Sequence, residues 1–500
     1  MAKHVIAVPF ITPRLDPSDP HPLYRQLYEA LRAAILDGHL KPGSRLPATR
    51  ALAGQLGVSR FTVVSAFEQL LAEGYLHGRM GAGTFVSREL PYAAPRHATP
   101  EPDSDRPQPR LSQRGILLAS TRLTDVAEEG RPRAFRPGQP ALDHFPAASW
   151  ARIAARLYRR PPHELLTYGA IAGYRPLRET IAAYLRATRA ITCRPEQVIV
   201  VAGAQQGLDL AARVLLDPGD SAWVEDPGFP GARAALQGAG VTLVPVPVDG
   251  EGLDVRAGED AAPEARLAYV TPSYQYPLGV TMSLPRRLAL LDWARRANAW
   301  VLEDDYDSEF RYEGHPLAAL AGLDAVGQVI YMGTFSKVLF PALRLGYLVV
   351  PPAVVDAFTR ARALSGRHAP TLEQAVLADF IAEGHFARHI REMRALYQER
   401  QEILLDTIQS ELNGVLAVSR SVAGMHLVGW LEPGTDDQAA AEQAAREDVE
   451  VRALSAHALR AQPRPGLLLG YTALDAPEIG AGVRRLARAL APRRVPADVP

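Results

Sequence analysis

Over residues 21–37 the apolar side chains Leu23, Leu27, Leu31, Ala34 and Ile35 recur at helical spacing, and Gly38 stands where such a helix would stop. Two more helices are predicted at 49–56 and 59–73, parted by Gly57 and opened by candidate N-caps at Thr49 and Ser59. Tyr75-Leu76-His77 and Thr84-Phe85-Val86 then flank Gly78-Arg79-Met80-Gly81-Ala82-Gly83, a short hairpin with a glycine-rich tip. Three helices followed by such a hairpin make a winged helix-turn-helix.

Over 88–114 the pattern breaks. Pro91, Pro95, Pro100, Pro102, Pro107 and Pro109 are interspersed with charges of both signs and almost no large apolar residues. Such a stretch buries too little surface to fold alone and is expected to be an extended, semi-rigid linker. From about Ala134 onward, helical patterns alternate with short apolar strands at 197–202, 221–225, 241–246, 266–270, 300–302, 329–332 and 345–350. This predicts an α/β unit with a mainly parallel sheet, helices on both faces and ligand sites at strand ends. A connecting helix and a smaller mixed domain follow over about 352–496. The expected organisation is a head at 1–87, a proline-rich linker at 88–130 and an α/β unit at 131–500, with its large part at about 160–352 and its small part at about 353–496.

Composition refines this picture in three places. Lys plus Arg equal Asp plus Glu at 55 each, so any surface for nucleic acid must be local. Residues 1–87 hold nine basic against six acidic side chains, compatible with a DNA-binding head. Cys193 is the only cysteine, which excludes an intramolecular disulfide and a multi-cysteine zinc site and fits a reducing cytoplasm. The start of the chain has no apolar run suited to a signal peptide, and no stretch of roughly 18 apolar residues suggests a membrane span.

The chemistry concentrates after strands. Gly333-Thr334-Phe335-Ser336-Lys337 leads into Pro341-Ala342-Leu343-Arg344-Leu345-Gly346, coupling one lysine to a hydroxyl-rich turn and an arginine. A pyridoxal phosphate site needs such a set: an amine that forms an imine, with hydroxyls and a guanidinium around the phosphate. It also needs an acid at the pyridine nitrogen, a donor to the phenolate and a flat stacking partner. A lone lysine is usually a solvated surface amine, and it is the surrounding turn that changes the reading. Glu303-Asp304-Asp305-Tyr306-Asp307 follows another strand and supplies an acid and a tyrosine. The lesser readings of this cluster taken alone are a charged loop or a divalent metal site, and metal is the weaker option because no histidine accompanies it and no Walker motif precedes it. Glu225-Asp226-Pro227-Gly228-Phe229 offers an aromatic, and Gly203-Ala204-Gln205 a helix start suited to phosphate.

With these motifs in place, residues from about 130 to 490 resemble a fold type I aminotransferase, and the whole chain resembles the MocR/GabR-type regulators of the GntR superfamily. The resemblance implies that Lys337 forms the imine, Asp304 pairs with the pyridine nitrogen, Tyr306 bonds the phenolate and Phe229 stacks on the ring. It implies a phosphate cup of Arg344, Thr334, Ser336, Ala204 and Gln205, with Asp305 the second choice for the nitrogen. Tyr168 resembles the tyrosine that reaches a neighbouring subunit's phosphate in aminotransferase dimers. Two departures stand out. Gln275-Tyr276-Pro277-Leu278-Gly279 has tyrosine where ordinary aminotransferases place a phenolate-binding asparagine, leaving the phenolate donor open. Leu467-Leu468-Leu469-Gly470-Tyr471 lacks the arginine those enzymes use for the substrate carboxylate, and Arg464 is the nearest in sequence.

Gly43 to Ala53, Leu56-Gly57-Val58-Ser59-Arg60-Phe61-Thr62-Val63 and Gly81 to Val86 likewise resemble the GntR winged-helix signature. Residues opening a recognition helix face base edges and phosphates. Ser59, Arg60 and Thr62 therefore come to DNA, with Arg60 as base reader and Arg45, Arg50 and Thr62 on phosphates. The expected function is a cytoplasmic, homodimeric transcriptional regulator that binds pyridoxal phosphate and an operator, and that senses the cofactor or an amino compound. The alternative is a working aminotransferase with an accessory DNA-binding head.

Overall fold

The computed structural model describes residues 15–90, 110–121, 133–314, 318–460 and 464–491. Two compact units result, divided between Pro109 and Arg110.

In the first unit, α1 (Leu23–Leu36), α2 (Thr49–Leu56) and α3 (Arg60–Ala72) precede β1 (Leu76–Arg79), which pairs antiparallel with β2 (Gly83–Val86). The apolar stripes close on one another: Leu27, Leu31, Leu52, Val63, Phe67, Leu70 and Val86 form one buried core. Gly57 ends α2 at φ +67°, in the left-handed region that glycine adopts without strain. Ser59 caps α3 as expected, its Oγ accepting from the Thr62 N–H at 3.1 Å. Thr49 is not a cap. The extended residue before the helix is Ala48, which has no side-chain acceptor, so the helix runs over the expected 49–56 with Thr49 as its first residue.

Much of the expected linker, 91–109 and 122–130, lies outside the described residues, as do residues 131–132 and residues 1–14, on which the reading of the chain start rested. Between those gaps is a helix that the proline count hides, α4 (Gln113–Ser120). Ser112 caps it by accepting from the Gly115 N–H at 3.0 Å, and Leu118 packs against Gly238.

The second unit is built on an eight-stranded sheet. Its strands are β3 (Val198–Val201), β4 (Ser221–Asp226), β5 (Thr242–Asp249), β6 (Gly252–Leu253), β7 (Leu267–Val270), β8 (Trp300–Asp305), β9 (Val329–Thr334) and β10 (Gly346–Val349), in the order β3-β10-β9-β8-β7-β4-β5-β6. From β9 to β5 the neighbours are parallel, whereas β10 runs antiparallel between β3 and β9, and β6 folds back on β5. Each expected strand is present; the two-residue β6 was too short to carry a pattern. Helices cover both faces, as near-continuous apolar strands require. Helices Val355–Gly366, Thr371–Ala382 and His385–Glu411 lead to a four-stranded antiparallel sheet. It comprises β11 (Ala417–Val418), β12 (His426–Trp430), β13 (Arg452–Ala453) and β14 (Gly466–Gly470), ordered β11-β12-β14-β13. Among the described residues, no helix is long and apolar enough to cross a membrane.

One ion cluster ties a helix to the strand ends. Arg189, closing helix Arg175–Arg189, places Nε 2.8 Å from Asp305 and a terminal nitrogen 3.0 Å from Glu309, and all three side chains are nearly inaccessible. Tyr331 and Tyr184 donate to the same two carboxylates. Removing one partner of a buried pair strands the other's charge. Arg189→Leu is therefore expected to destabilise this unit by about 3–5 kcal/mol in denaturant titration at pH 8. The deficit should shrink toward pH 5, where the stranded carboxylates take up protons.

Candidate cofactor site and nucleic-acid interface

Parallel order from β4 to β9 brings the loops after those strands to one edge of the sheet, and there they enclose a cavity of about 430 Å³. Its lining includes Lys337, Asp304, Tyr306, Phe229, Arg344, Thr334, Ser336, Ala204 and Gln205. Nine of the ten expected cofactor residues thus meet in one place. Tyr168 does not: it is 79% exposed, with the Arg367 guanidinium 4.3 Å from its ring centre.

Lys337 sits on the turn after β9, and its Nζ donates to the Gly138 carbonyl at 3.0 Å. Gly138 has φ +72°, and a Cβ there would come within 2.7 Å of that nitrogen, so glycine is required both by the backbone and by the amine. Successive residues of β8 face opposite ways. Asp304 points into the cavity, accepting from Tyr269 Oη at 2.8 Å, while Asp305 points toward Arg189. Burial pushes the Asp304 carboxyl up to about 7, against the Tyr269 hydrogen bond; burial is also the largest influence on Asp305, but the Arg189 charge together with hydrogen bonds from Ser308, Tyr331 and Arg189 outweighs it and holds that group low.

Three buried polar atoms of cavity residues have no hydrogen-bond partner: Asp304 Oδ1, Tyr306 Oη and Ser336 Oγ. Such atoms are costly unless a ligand satisfies them. Ala204 and Gln205 open helix Ala204–Leu215, where backbone N–H groups lack intrahelical partners. Arg344, in the left-handed conformation at φ +50°, donates to the Ala202 carbonyl at 2.7 Å and lies across Gly203, where a Cβ would sit 3.2 Å from the guanidinium. The Phe229 ring stands edge-on to Tyr276, their centres 5.8 Å apart, and Tyr276 is also edge-on to Tyr306. Gln275 turns away from the cavity to bond Glu225 and the Pro227 carbonyl, while three phenols line the cavity, Tyr269, whose hydroxyl is taken up by Asp304, and Tyr276 and Tyr306.

Other lining residues were not foreseen: Arg136, Gln139, Tyr269, His426, Glu450 and Arg452. They come from loops and short strands with no motif, and the i, i+2 spacing of Glu450 and Arg452 is their one local signal. Arg464 lies elsewhere, its guanidinium 5.1 Å from the Trp430 ring centre. A wider groove of about 870 Å³ beside α4 is lined by Arg233 and apolar or neutral residues, with no amine, carboxylate or imidazole among the described residues.

In the head, Arg45, Arg50, Ser59 and Arg60 are exposed and Thr62 is half-buried. Arg45 bridges to Phe85 of the wing and lies over Gly83, whose added Cβ would stand 3.0 Å from its Nε. The Ser59 and Thr62 hydroxyls are 2.8 Å apart. Two large apolar side chains also lie open, Phe61 beside Arg60 at 78% exposure and Met80 at the wing tip, fully exposed.

The family described as bacterial regulatory proteins, gntR family, matches residues 23–86, and aminotransferase class I and II matches 137–468. A probable rhizopine catabolism regulatory protein, MocR, of Rhizobium meliloti is 43% identical, covering 94% of each chain. This chain belongs to the MocR-type transcriptional regulators. The regulator TauR of Rhodobacter capsulatus is 34% identical over 97% of this chain and 100% of its own. Among solved structures, the α-aminoadipate aminotransferase LysN of Thermus thermophilus, complexed with N-(5'-phosphopyridoxyl)-L-leucine, superposes with a TM-score of 0.67 at 32% identity, over 72% of this chain and 92% of that one. The regulator thus couples a DNA-binding head to an aminotransferase fold.

The Asp304 carboxyl, at about 7 when folded against an ordinary 3.8, holds its proton longer in the folded state. Its ionisation therefore opposes folding above pH 7, and the penalty disappears as pH falls toward 4. Cofactor-free Asp304→Asn is expected to melt on the order of a few degrees higher than the parent at pH 8 and level with it near pH 4.

Proposed function

We propose that this regulator holds pyridoxal phosphate in the cavity at the strand ends, and that occupancy by the cofactor or by an amino compound changes how a homodimer engages its operator in the cytoplasm. The observation carrying this reading is the meeting of Lys337 Nζ with three unpartnered buried atoms, on Asp304, Tyr306 and Ser336. When bound, the cofactor supplies an aldehyde that condenses with amines and a ring that withdraws electrons.

The residues fit that group. Lys337 presents an amine steadied by the Gly138 carbonyl, and Phe229 offers a flat apolar surface. Asp304 Oδ1 would accept the pyridine N–H, and a cation there would draw the carboxyl back down from about 7. Burial, with Asp307 close by, raises the Tyr306 hydroxyl well above its ordinary value, which keeps it a proton donor for the phenolate. Arg344, Thr334, Ser336 and the amides of Ala204 and Gln205 would surround the phosphate with charge-assisted donors. Tyr168, exposed beside Arg367, suits a second copy's phosphate and is the residue through which each site would depend on the dimer.

Regulation then requires that the ligand bind one arrangement of the heads better. Moving a 1:99 balance to 99:1 takes about 5.5 kcal/mol of difference. Relatives of this chain are named for rhizopine catabolism and for pyridoxine biosynthesis, names in keeping with control by a small metabolite.

Added pyridoxal phosphate should give the protein a visible absorbance band that Lys337→Ala lacks, and Asp304→Asn should weaken binding and remove its decline below pH 7. A protein without that band, or one whose operator affinity ignores the cofactor and every amine, would refute the reading. At the head, Arg60→Ala should lose about 1–3 kcal/mol of operator affinity and relax one base position, while Arg45→Ala or Arg50→Ala should lower the salt slope by about 1 each, as gel-shift titrations over salt would show.

A further inference from the structure

The helix α3 presents one large aromatic side chain to the outside. Val63, Ala66, Phe67 and Leu70 are its buried residues, and an α-helix advances by about 100° per residue. Phe61 therefore leaves the axis about 120–180° away from each of those four, on the side opposite the core. Its ring is 78% exposed. A single open aromatic is ordinary on a protein surface, and it is the place of this one that gives it meaning. Glu68 shares that side but lies further along the helix, about 10 Å on, which leaves the first turn as the end suited to meet DNA. Within that turn two hydroxyls are already engaged with each other: Ser59 Oγ accepts from the Thr62 N–H at 3.1 Å, and Ser59 Oγ and Thr62 Oγ1 are 2.8 Å apart. Arg60 stands next to Phe61 and is exposed, so the ring is open beside a charge that attracts a polyanion.

We propose that Phe61 reads the 5-methyl group of a thymine in the major groove, so that the operator carries a T·A pair next to the base met by Arg60. This rests on the placing of α3 in that groove and is independent of the cofactor. A phenyl ring has no hydrogen-bonding atom, so it cannot tell bases apart by their donors and acceptors. The thymine methyl is the one apolar group that the base pairs display in the major groove, and covering it takes apolar surface of both partners out of water. A cytosine in its place would turn its N4 amino group toward the ring, where no acceptor awaits it. The position of the thymine follows from spacing: consecutive Cα atoms are about 3.8 Å apart and stacked bases about 3.4 Å, so neighbouring residues of the first turn meet neighbouring bases.

The test uses the full-length protein and the duplexes it enriches from a pool of random sequence. Each thymine of the enriched sequence is replaced in turn by deoxyuridine, which keeps the pairing edge and lacks only the methyl group, and affinity is followed by gel shift at fixed salt. One replacement, adjoining the base whose change Arg60→Ala tolerates, is expected to weaken binding by about threefold or more, the worth of one buried methyl group. Phe61→Ala should bind the unmodified duplex more weakly by a similar factor, show no further loss with that deoxyuridine, and enrich sequences in which that one position has lost its thymine; Phe61→Leu should fall between. The proposal is overturned if no thymine replacement matters, or if the replacement costs Phe61→Ala as much as it costs the parent. It is equally overturned if Phe61→Ala binds the duplex unchanged while its assembly in solution differs, which would assign the ring to a protein contact. If the parent enriches no sequence at all, the reading of the head as an operator binder falls, and this proposal with it. Phe61 lies outside the buried core of the head, so melting temperatures equal to the parent's show that the variants fold.

Discussion

Two neighbouring carboxylates on β8 cannot both be buried without partners, and the strand's alternation settles how they share the cost. Asp305 turns to the face where Arg189, Glu309 and Tyr331 wait for it, and becomes part of a buried ion cluster. Asp304 turns to the other face and keeps one oxygen open to the cavity. The first arrangement anchors helix Arg175–Arg189 to the end of the sheet; the second leaves an acid in the cavity with its carboxyl raised to about 7. A single residue's displacement along the strand would exchange these roles and remove both.

The remaining cavity groups depend on that strand end being where it is. Parallel neighbours carry Thr271 from β7, Phe229 from β4 and Lys337 from β9 to the same edge, and the antiparallel β10 returns the chain so that Arg344 reaches back across Gly203. Close approach sets the glycines: Gly138 leaves room for the lysine amine, and Gly203 leaves room for the guanidinium. The small domain contributes from far along the chain, through Glu450 and Arg452, so part of the cavity wall is built from residues other than those expected to hold the cofactor.

The head obeys a simpler economy. A short core of aliphatic side chains and Phe67 fixes three helices and a hairpin, and its capping serine holds the start of α3. Arg45 is placed by its bridge to the wing, whereas Arg50 and Arg60 stand at helix starts, so the basic side chains reach outward from two different supports. Phe61, in the first turn of α3, and Met80, at the wing tip, are open as well.

Much of this was legible from periodicity and punctuation. Helices at helical spacing, strands as apolar runs and the lysine turn after β9 follow from local rules, because the chemistry of an amine, an acid and a phosphate cup needs residue types that stand out in a sequence. The helix α4 did not show, since its eight residues lie among prolines and its apolar side chains gain meaning only against Gly238. Nor could the doublet Asp304-Asp305 be resolved from composition: the choice belongs to Arg189, some 116 residues away. Arg136, Glu450 and Arg452 were invisible for the same reason, being ordinary charged residues until β13 pairs with β14 and a loop near 136 folds over the strand ends. The sequence by itself determined which elements form and which reactive groups they carry; the tertiary structure decided which face each group serves, because that depends on partners far away in the chain.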